Sequence, residues 1–187
     1  MEDGFFSGQF LIAMPGIGDP RFERALILIC AHDEEHAMGL AVNRPVEGLT
    51  VPDLLERLGV AATNTLPDDP VLMGGPVQRE RGFVLHSADF ASEHSLDVGG
   101  GVSLTATRDA LDAMAGHDGA PARSLLALGY AGWGAGQLEE EIKQNVWLTC
   151  EADDELIFGH DHDAKWTRAL AKLGVDPERL SSAAGRA

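Results

Sequence analysis

Two runs of this 187-residue chain contain residue types that bind metals or act as bases in other proteins. The run from His32 to His36 spells H-x-x-E-H, in which two imidazoles one helical turn apart bind zinc and the glutamate acts as the base. That geometry requires a helix, whereas this run lies between two strand-like segments, with Gly39 close behind it. We therefore predict a polar hairpin loop here, and no metal.

The run from His160 to Asp163 alternates histidine with aspartate and also has the composition of a metal cluster. It immediately precedes a helical pattern, and Asp163 has the position of that helix's N-cap. A solvated acidic loop explains the run more simply than a metal site does.

Cys30 and His32 lie two residues apart in a strand-like segment and would share one face, as a thiolate and imidazole pair must. The four residues before Cys30 are apolar, however, and such surroundings keep a thiol protonated. Cys150 also lies in an apolar run, so we expect two buried free thiols. Because the chain has no G-x-S-x-G motif either, the sequence favours a non-catalytic protein over an enzyme.

The segment from Gly129 to Gln137 places four glycines between a strand and the start of a helix, where backbone N–H groups can bind an anion. Its spacing matches neither nucleotide-binding template, and the glutamates at 139–141 would repel a phosphate. We interpret it as a structural turn carrying Trp133 and assign no cofactor. A cationic or peptide ligand suits those glutamates better.

Polar residues and glycines follow several other predicted strands, where sites form on α/β scaffolds. Pro45 forces Arg44 into an extended backbone, and its guanidinium would then pair with an internal carboxylate or with an anionic ligand. His86 is explained either by a ring bonded to the backbone or by a catalytic role. The candidate surface for a ligand or partner consists of Asn43, Arg44, Gly75, His86, Trp133, Gln137 and Glu139.

Periodicity predicts the elements that position these residues. The expected strands are Gly8 to Met14, Arg24 to Ala31, Met38 to Val42, Val71 to Met73, Gly82 to His86, Gly101 to Ala106, Ser124 to Tyr130 and Val146 to Glu151. The expected helices are Val51 to Leu58 with Thr50 as N-cap, Arg108 to Ala115, Gln137 to Gln144, and Ala164 to Leu173. This inventory predicts a mixed sheet of about eight strands covered by about four short helices, of class α/β at its boundary with α+β. The helix after Tyr130 is expected to join two strands as a crossover.

The charge limits the classes of function. Lysine and arginine number 14 and aspartate and glutamate 30, which gives 14 − 30 = −16 at neutral pH, a field that repels nucleic acid and anionic lipid. The longest apolar run, Ala25 to Ala31, is too short to span a membrane, and the first residues lack the positive start of a signal peptide. No linker divides the chain. We therefore expect one cytoplasmic domain over residues 1–187, without membrane or direct nucleic-acid contacts.

Several blocks, in order and with the right separations, resemble the bacterial YqgE/AlgH family. They are Phe10-Leu11-Ile12-Ala13, Met38 through Pro45, Gly74-Gly75-Pro76-Val77, Gly82 through His86, Gly129 through Glu139, Trp147-Leu148 and Lys165-Trp166. The resemblance implies a single domain around a curled, partly split mixed sheet. It also implies a transcriptional-regulator label, which some members carry in connection with exopolysaccharide control, and no established reaction or cofactor.

Two functional hypotheses follow. The first is a non-catalytic regulatory or protein-interaction module that does not bind DNA directly, because the only candidate basic face is formed by Lys165, Arg168 and Lys172, expected to point outward on the last helix. The second is a small-ligand-binding protein or enzyme whose pocket is formed by strand-end loops. The second gains support if Arg44, His86 and Gln137 converge in one cleft, and loses it if they are scattered or bonded internally.

Overall fold

A computed structural model describes residues 5–61, 68–116 and 120–178 of the chain. The strands are β1 Gln9–Ala13, β2 Leu26–His32, β3 His36–Ala41, β4 Pro45–Thr50, β5 Pro70–Met73, β6 Val77–Ser87, β7 Leu96–Gly99, β8 Val102–Thr105, β9 Ser124–Gly134 and β10 Trp147–Glu151. The helices are α1 Val51–Arg57, α2 Arg108–Met114, α3 Gln137–Lys143, α4 Asp154–Phe158 and α5 Lys165–Lys172, with a 3-10 turn over His162–Ala164 before α5.

The strands form one curled sheet in the order β10-β1-β2-β3-β9-β6-β8-β7, and β4 and β5 branch from it at β9. Neighbouring strands are antiparallel except for β5, which pairs with β9 in parallel. The predicted α/β class and mixed, curled sheet are therefore confirmed. The sequence pattern missed β4 and β7, whose residues are largely exposed and lack an apolar run, as well as the single-turn helix α4.

The central strands are buried on both faces, which is why they read as continuous apolar runs. In β1, Phe10 and Ile12 belong to one apolar core, whereas Leu11 and Ala13 point to the opposite face and belong to another. The strand β2 divides its residues in the same way, and its Cys30 lies in the first core.

Helices cover these faces. Leu156 and Ile157 of α4, together with Trp166 and Leu170 of α5, pack on the first face of the sheet. The opposite face is covered at one end by α3 through Leu138, and at its other end by α1 and α2. The residues that follow α2 and α4 line a cleft described below.

The predicted crossover after Tyr130 is confirmed. The strands β9 and β10 belong to the same sheet, run parallel with three strands between them, and are joined through α3. Gly129, inside β9, has a positive φ of 74°, and this irregularity changes which face its following residues occupy. Leu126 consequently packs under α1 and α2, whereas Ala131 and Trp133 pack under α3.

The helix starts match the sequence in one case and differ in another. Thr50 and Asp53 form the predicted capping arrangement of α1, in which each side chain bonds to the other residue's backbone N–H. Asp163, by contrast, is not the N-cap of the last helix, because the 3-10 turn precedes α5, which begins at Lys165. Lys165, expected on the outer face, lies in the interior, where it is 1% exposed, because it stands four residues before the buried Ala169 on the same face of α5.

Candidate functional site

The junction between β9 and α3 is fixed by one carboxylate. The indole Nε1 groups of Trp133 and Trp147 donate to the same oxygen of Glu141, at 3.0 and 2.9 Å. The second oxygen of Glu141 accepts a 2.9 Å hydrogen bond from Gln137, whose own carbonyl accepts one from the backbone N–H of Gly134 at 3.0 Å. These bonds satisfy both indoles and close a turn at Ala135 and Gly136. The glycine-rich segment is a turn only there, and the prediction was wrong for its first part, because β9 pairs with β3 and continues as far as Gly134.

Glu139, two residues before Glu141 on α3, is bonded to the histidine of the hairpin between β2 and β3. The backbone N–H of Phe6 donates to His32 Nδ1 at 2.9 Å, so the ring proton of neutral His32 lies on Nε2, which donates to Glu139 at 3.0 Å. The rings of Phe5 and Phe6 contact the imidazole, with centroids 4.9 and 5.6 Å away. Both nitrogens of His32 are thus used in joining the N-terminal segment to α3.

Between these contacts a short surface remains open to solvent. We call it the α3 turn surface and define it as Gly134, Ala135, Gly136, Gln137 and Glu140, all of which are exposed. Glu139 is half-buried at its edge. The surface is acidic, and the hydrogen bond from the Gly134 N–H to Gln137 fixes its backbone.

Asn43 and Arg44 are bonded to backbone. The amide of Asn43 accepts from the N–H of Leu26 at 3.0 Å and donates to the carbonyl of Arg24 at 2.8 Å. The guanidinium of Arg44 donates to the carbonyls of Glu23 at 2.8 Å and Pro20 at 3.3 Å. The internal partner of Arg44 is therefore carbonyl oxygen, and not the carboxylate that the sequence analysis considered.

Gly75 lies against the backbone of β9. A Cβ atom at this position would be 2.1 Å from the carbonyl carbon of Tyr130, so no other residue fits without separating the two segments. Its role in the structure is close packing.

His86 belongs to a buried hydrogen-bond chain. Its Nδ1 donates to the carbonyl of Ser87 at 3.0 Å, and its Nε2 accepts from the hydroxyl of Thr105 at 2.7 Å. The Thr105 oxygen is in turn 2.7 Å from the hydroxyl of Ser95. A histidine beside a hydroxyl is the arrangement of a base and nucleophile, but His86 and Thr105 are both 0% exposed, so no substrate reaches them in this conformation.

The candidate residues do not form one cleft. His86 pairs with Ser124 at the start of β9, whereas Trp133 and Gln137 lie at its end. Nine residues of extended strand separate these points, or about 30 Å. The structure joins Trp133 and Gln137 through Glu141 and places Glu139 against His32. It leaves Arg44 and His86 in separate, internally bonded positions.

A cleft lies away from these residues, and no pattern in the sequence predicted it. This cleft, of about 650 Å³, opens between the first residues of β5 and β9 on one side and the α4–α5 region on the other. Its polar lining consists of Asp69, Arg123, Ser124, Glu155, His160, His162 and Arg168. The run from His160 to Asp163 was the feature of the sequence that could have indicated this cleft. It was not sufficient, because Asp69, Arg123 and Ser124, which also line the cleft, are distant from it in the sequence.

Lys165 lies just behind this cleft. Its Nζ donates to the carbonyls of Val42 at 2.8 Å and Ile157 at 2.9 Å, and burial lowers the pKa of the amine to about 7. Burial also lowers the pKa of His162, and the nearby Lys165 acts in the same direction. Both groups therefore favour their neutral forms more than exposed residues of their type do.

The remaining ionisable candidates are isolated from one another. Burial raises the pKa of the Cys30 thiol to about 12 and raises that of Cys150 as well. Within residues 5–61, 68–116 and 120–178, no three histidine, cysteine or acidic side chains are grouped as metal ligands. No helix in those same ranges has the length and apolarity needed to cross a bilayer.

Comparison with known proteins identifies similar sequences and structures. A family profile described as AlgH-like matches residues 10–178. A UPF0301 protein of Caulobacter vibrioides is 64% identical over all of this chain and 96% of its own length, and one of Rhodospirillum rubrum is 50% identical over 100% and 96%.

Two solved structures extend this similarity. The solution structure of the AlgH protein from Pseudomonas aeruginosa has 39% identity and a TM-score of 0.75, covering 95% of this chain and 94% of that one. The crystal structure of DIP2367 from Corynebacterium diphtheriae has a TM-score of 0.69 over 88% and 85% of the two chains. Because its identity is 17%, it shows likeness of fold alone.

Proposed function

We propose that this chain, which belongs to the AlgH-like family, is a non-catalytic regulatory or protein-interaction module that acts without direct contact to DNA. The observation that carries this proposal is the bonding of Glu141. One side chain braces both Trp133 and Trp147 and, through Gln137, closes the glycine turn. A surface braced in this way is suited to binding.

The α3 turn surface is pre-organised, and pre-organisation reduces the entropy lost on association. A partner does not have to order the turn, because its hydrogen bonds already exist in the free protein. The exposed carboxylate of Glu140, with Glu139 at the edge, favours a cationic segment of a partner protein.

The absence of direct DNA contact is supported by the positions of the basic residues on α5. Lys165 is buried, and the ammonium of Lys172 pairs with Asp153 at 2.8 Å. Arg168 is exposed, but its guanidinium lies 3.9 Å from a carboxylate oxygen of Glu155. Of the three basic residues of this candidate face, Arg168 alone is exposed and it lies beside Glu155. The chain as a whole has a net charge of −16, which repels DNA.

The alternative hypothesis, a pocket built from Arg44, His86 and Gln137, receives no support from these positions. The first two side chains are bonded within the protein, and His86 lies at the opposite end of β9 from Gln137. A small-molecule site is better argued from the cleft behind α4 and α5, which contains none of these residues.

A site-specific cross-linking experiment tests the interaction role. A photo-reactive p-benzoylphenylalanine replaces Ala135 on the α3 turn surface, and in a matched control replaces Glu56, an exposed residue of α1. After irradiation in the native cell, we expect Ala135 to yield a discrete cross-linked protein that the Glu56 position does not. Its identity is then read by mass spectrometry.

The proposal also requires that the cross-link depend on the acidic surface. Glu140→Lys in the same chain is expected to reduce the cross-linked product severalfold, because it reverses the exposed charge. The same products from both labelled positions, or no product from Ala135, would contradict the interaction role.

A further inference from the structure

We propose that the cleft between the starts of β5 and β9 and the α4–α5 region binds a small organic anion with an apolar, ring-sized body and a carboxylate or phosphate group. This site is separate from the α3 turn surface, and the proposal does not depend on the protein-interaction role. It rests on the size of the cleft, its apolar walls and the unengaged guanidinium of Arg123.

The size and the walls fit a small molecule. The cleft encloses about 650 Å³, within the range of about 300–1,000 Å³ usual for small-molecule sites. Leu72 and Leu125 from the sheet and Ile157 and Phe158 from α4 contribute apolar wall. Such walls bury the body of a ligand, while a few polar groups orient its head.

The polar lining contains two arginines and two acids, and Arg168 alone of the arginines forms an ion pair with one of these acids. The carboxylate of Asp69 lies 3.2 Å from the imidazole of His160, and that of Glu155 lies 3.9 Å from the guanidinium of Arg168. The guanidinium of Arg123 forms no hydrogen bond or ion pair in the described part of the chain. Arginine binds carboxylate and phosphate through two parallel hydrogen bonds, so an unengaged guanidinium in a cleft favours an anionic group.

The imidazole of His162 also lines the cleft. Its Nδ1 is shielded from solvent and has no hydrogen-bond partner within the described ranges, so a ligand in the cleft reaches this atom only if the ring turns. The unpaired nitrogen is therefore not a contact of the proposed anion.

The charge of the whole chain makes this pattern selective. The net charge of −16 repels anions from most of the surface, whereas the two arginines of this cleft balance its two acids. Low-dielectric walls strengthen the attraction at the bound position. The excluded ligands are therefore cations, which Arg123 repels, and large polyanions, which the surrounding surface repels.

Three probes that share a naphthyl ring test the proposal in phosphate-free buffer by isothermal titration calorimetry. They are 1-naphthyl phosphate, 1-naphthoate and the neutral 1-naphthalenemethanol. We expect at least one of the two anions to bind at least tenfold more tightly than the alcohol, and the comparison between the anions identifies the preferred head group. Backbone amide shifts in NMR spectra are expected at Arg123, Ser124 and His162.

Substitutions test whether the anion binds at Arg123. Arg123→Gln is expected to weaken binding of the preferred anion at least tenfold while leaving the alcohol unchanged. Arg57→Gln, on the exposed last turn of α1, makes the same change of net charge away from the cleft and is expected to bind as the original protein does. Equal affinity for all three probes, no binding of either anion at millimolar concentration, or an unchanged affinity in Arg123→Gln would overturn the proposal.

Discussion

At the scale of single residues, Lys165 combines a long basic side chain with almost complete burial. Lysine seldom occupies such a position unless it is paired with an acid. Here the Nζ has two carbonyl acceptors, Val42 and Ile157, which match the two N–H groups of a neutral amine. A protonated amine would carry a third N–H without a partner, and burial would also penalise its charge.

This arrangement predicts that stability rises with pH above neutrality. The pKa of Lys165 is about 7 in the folded protein against 10.5 for an ordinary lysine, so the unfolded chain binds more protons between these values. The free energy of unfolding is expected to increase by about 2 kcal/mol between pH 7 and pH 9. Lys165→Met should abolish this increase, as measured by urea unfolding at each pH.

The pH range of the increase distinguishes the effect of Lys165 from the effects of other ionisable groups. His162, with its lowered pKa, contributes below pH 7, and the buried thiols, with raised pKa values, oppose the lysine above about pH 9. Lys143→Met, at the exposed end of α3, is the control and is expected to keep the dependence. A flat profile in the unmodified protein would show that Lys165 is charged in its buried position, and a persistent rise in Lys165→Met would show that another group causes the dependence.

At the scale of elements, the contact between the end of β5 and the middle of β9 depends on glycine. A Cβ on Gly75 would be 2.1 Å from the Tyr130 carbonyl carbon, and one on Gly74 would be 2.3 Å from the Gly129 carbonyl oxygen. The obstructing atoms are backbone, which cannot rotate away as a side chain does. This close approach lies directly beside the parallel pairing of Leu72 and Met73 with Ala127 and Leu128.

Gly75→Ala is therefore expected to destabilise the protein by about 4 kcal/mol or more, in the range of severe core changes. Gly82→Ala is the control, because its Cβ would meet the side chain of Leu126 at 3.7 Å, an ordinary contact. We expect the control to change stability by less than about 1 kcal/mol. Urea unfolding measures both, and similar costs for the two variants would contradict the close approach.

The elements were easier to predict from sequence than the site. The apolar runs of β1 and β2 and the Thr50 cap follow from local chemistry, and the structure contains each of them. The inward face of Lys165 was not predicted, because lysine is rarely buried and its neutral burial requires carbonyls of Val42 and Ile157 that only the fold brings together. The cleft was missed for the same reason, since it joins Arg123 to His162 through tertiary contacts.

At the scale of the whole molecule, charge decides which partners can approach. Acidic residues outnumber basic ones by 16, and internal contacts engage Lys165 and Lys172 of the last helix. Binding to duplex DNA gains affinity from each phosphate that a cation neutralises, and α5 offers only Arg168 for this purpose.

We therefore expect no saturable binding of a fluorescently labelled duplex below ~10 µM protein, even at 50 mM salt, where the electrostatic part of nucleic-acid affinity is large. Fluorescence anisotropy measures this directly, and repeating the titration with DNA from the native promoter regions covers sequence-specific sites. A nanomolar complex that weakens steeply with salt would require a basic surface that these positions do not provide, and would overturn the proposed mode of regulation.

The two buried cysteines give the sheet a chemical consequence of its own. Cys30 in β2 and Cys150 in β10 are 2% and 7% exposed, and their raised pKa values keep both thiols protonated. Oxidants and alkylating reagents react with the thiolate, so their reaction with these cysteines requires that a strand first separate from the sheet. Resistance to oxidative damage in this protein is thus a kinetic property of its fold, and the lifetime of a native thiol measures how often the sheet opens.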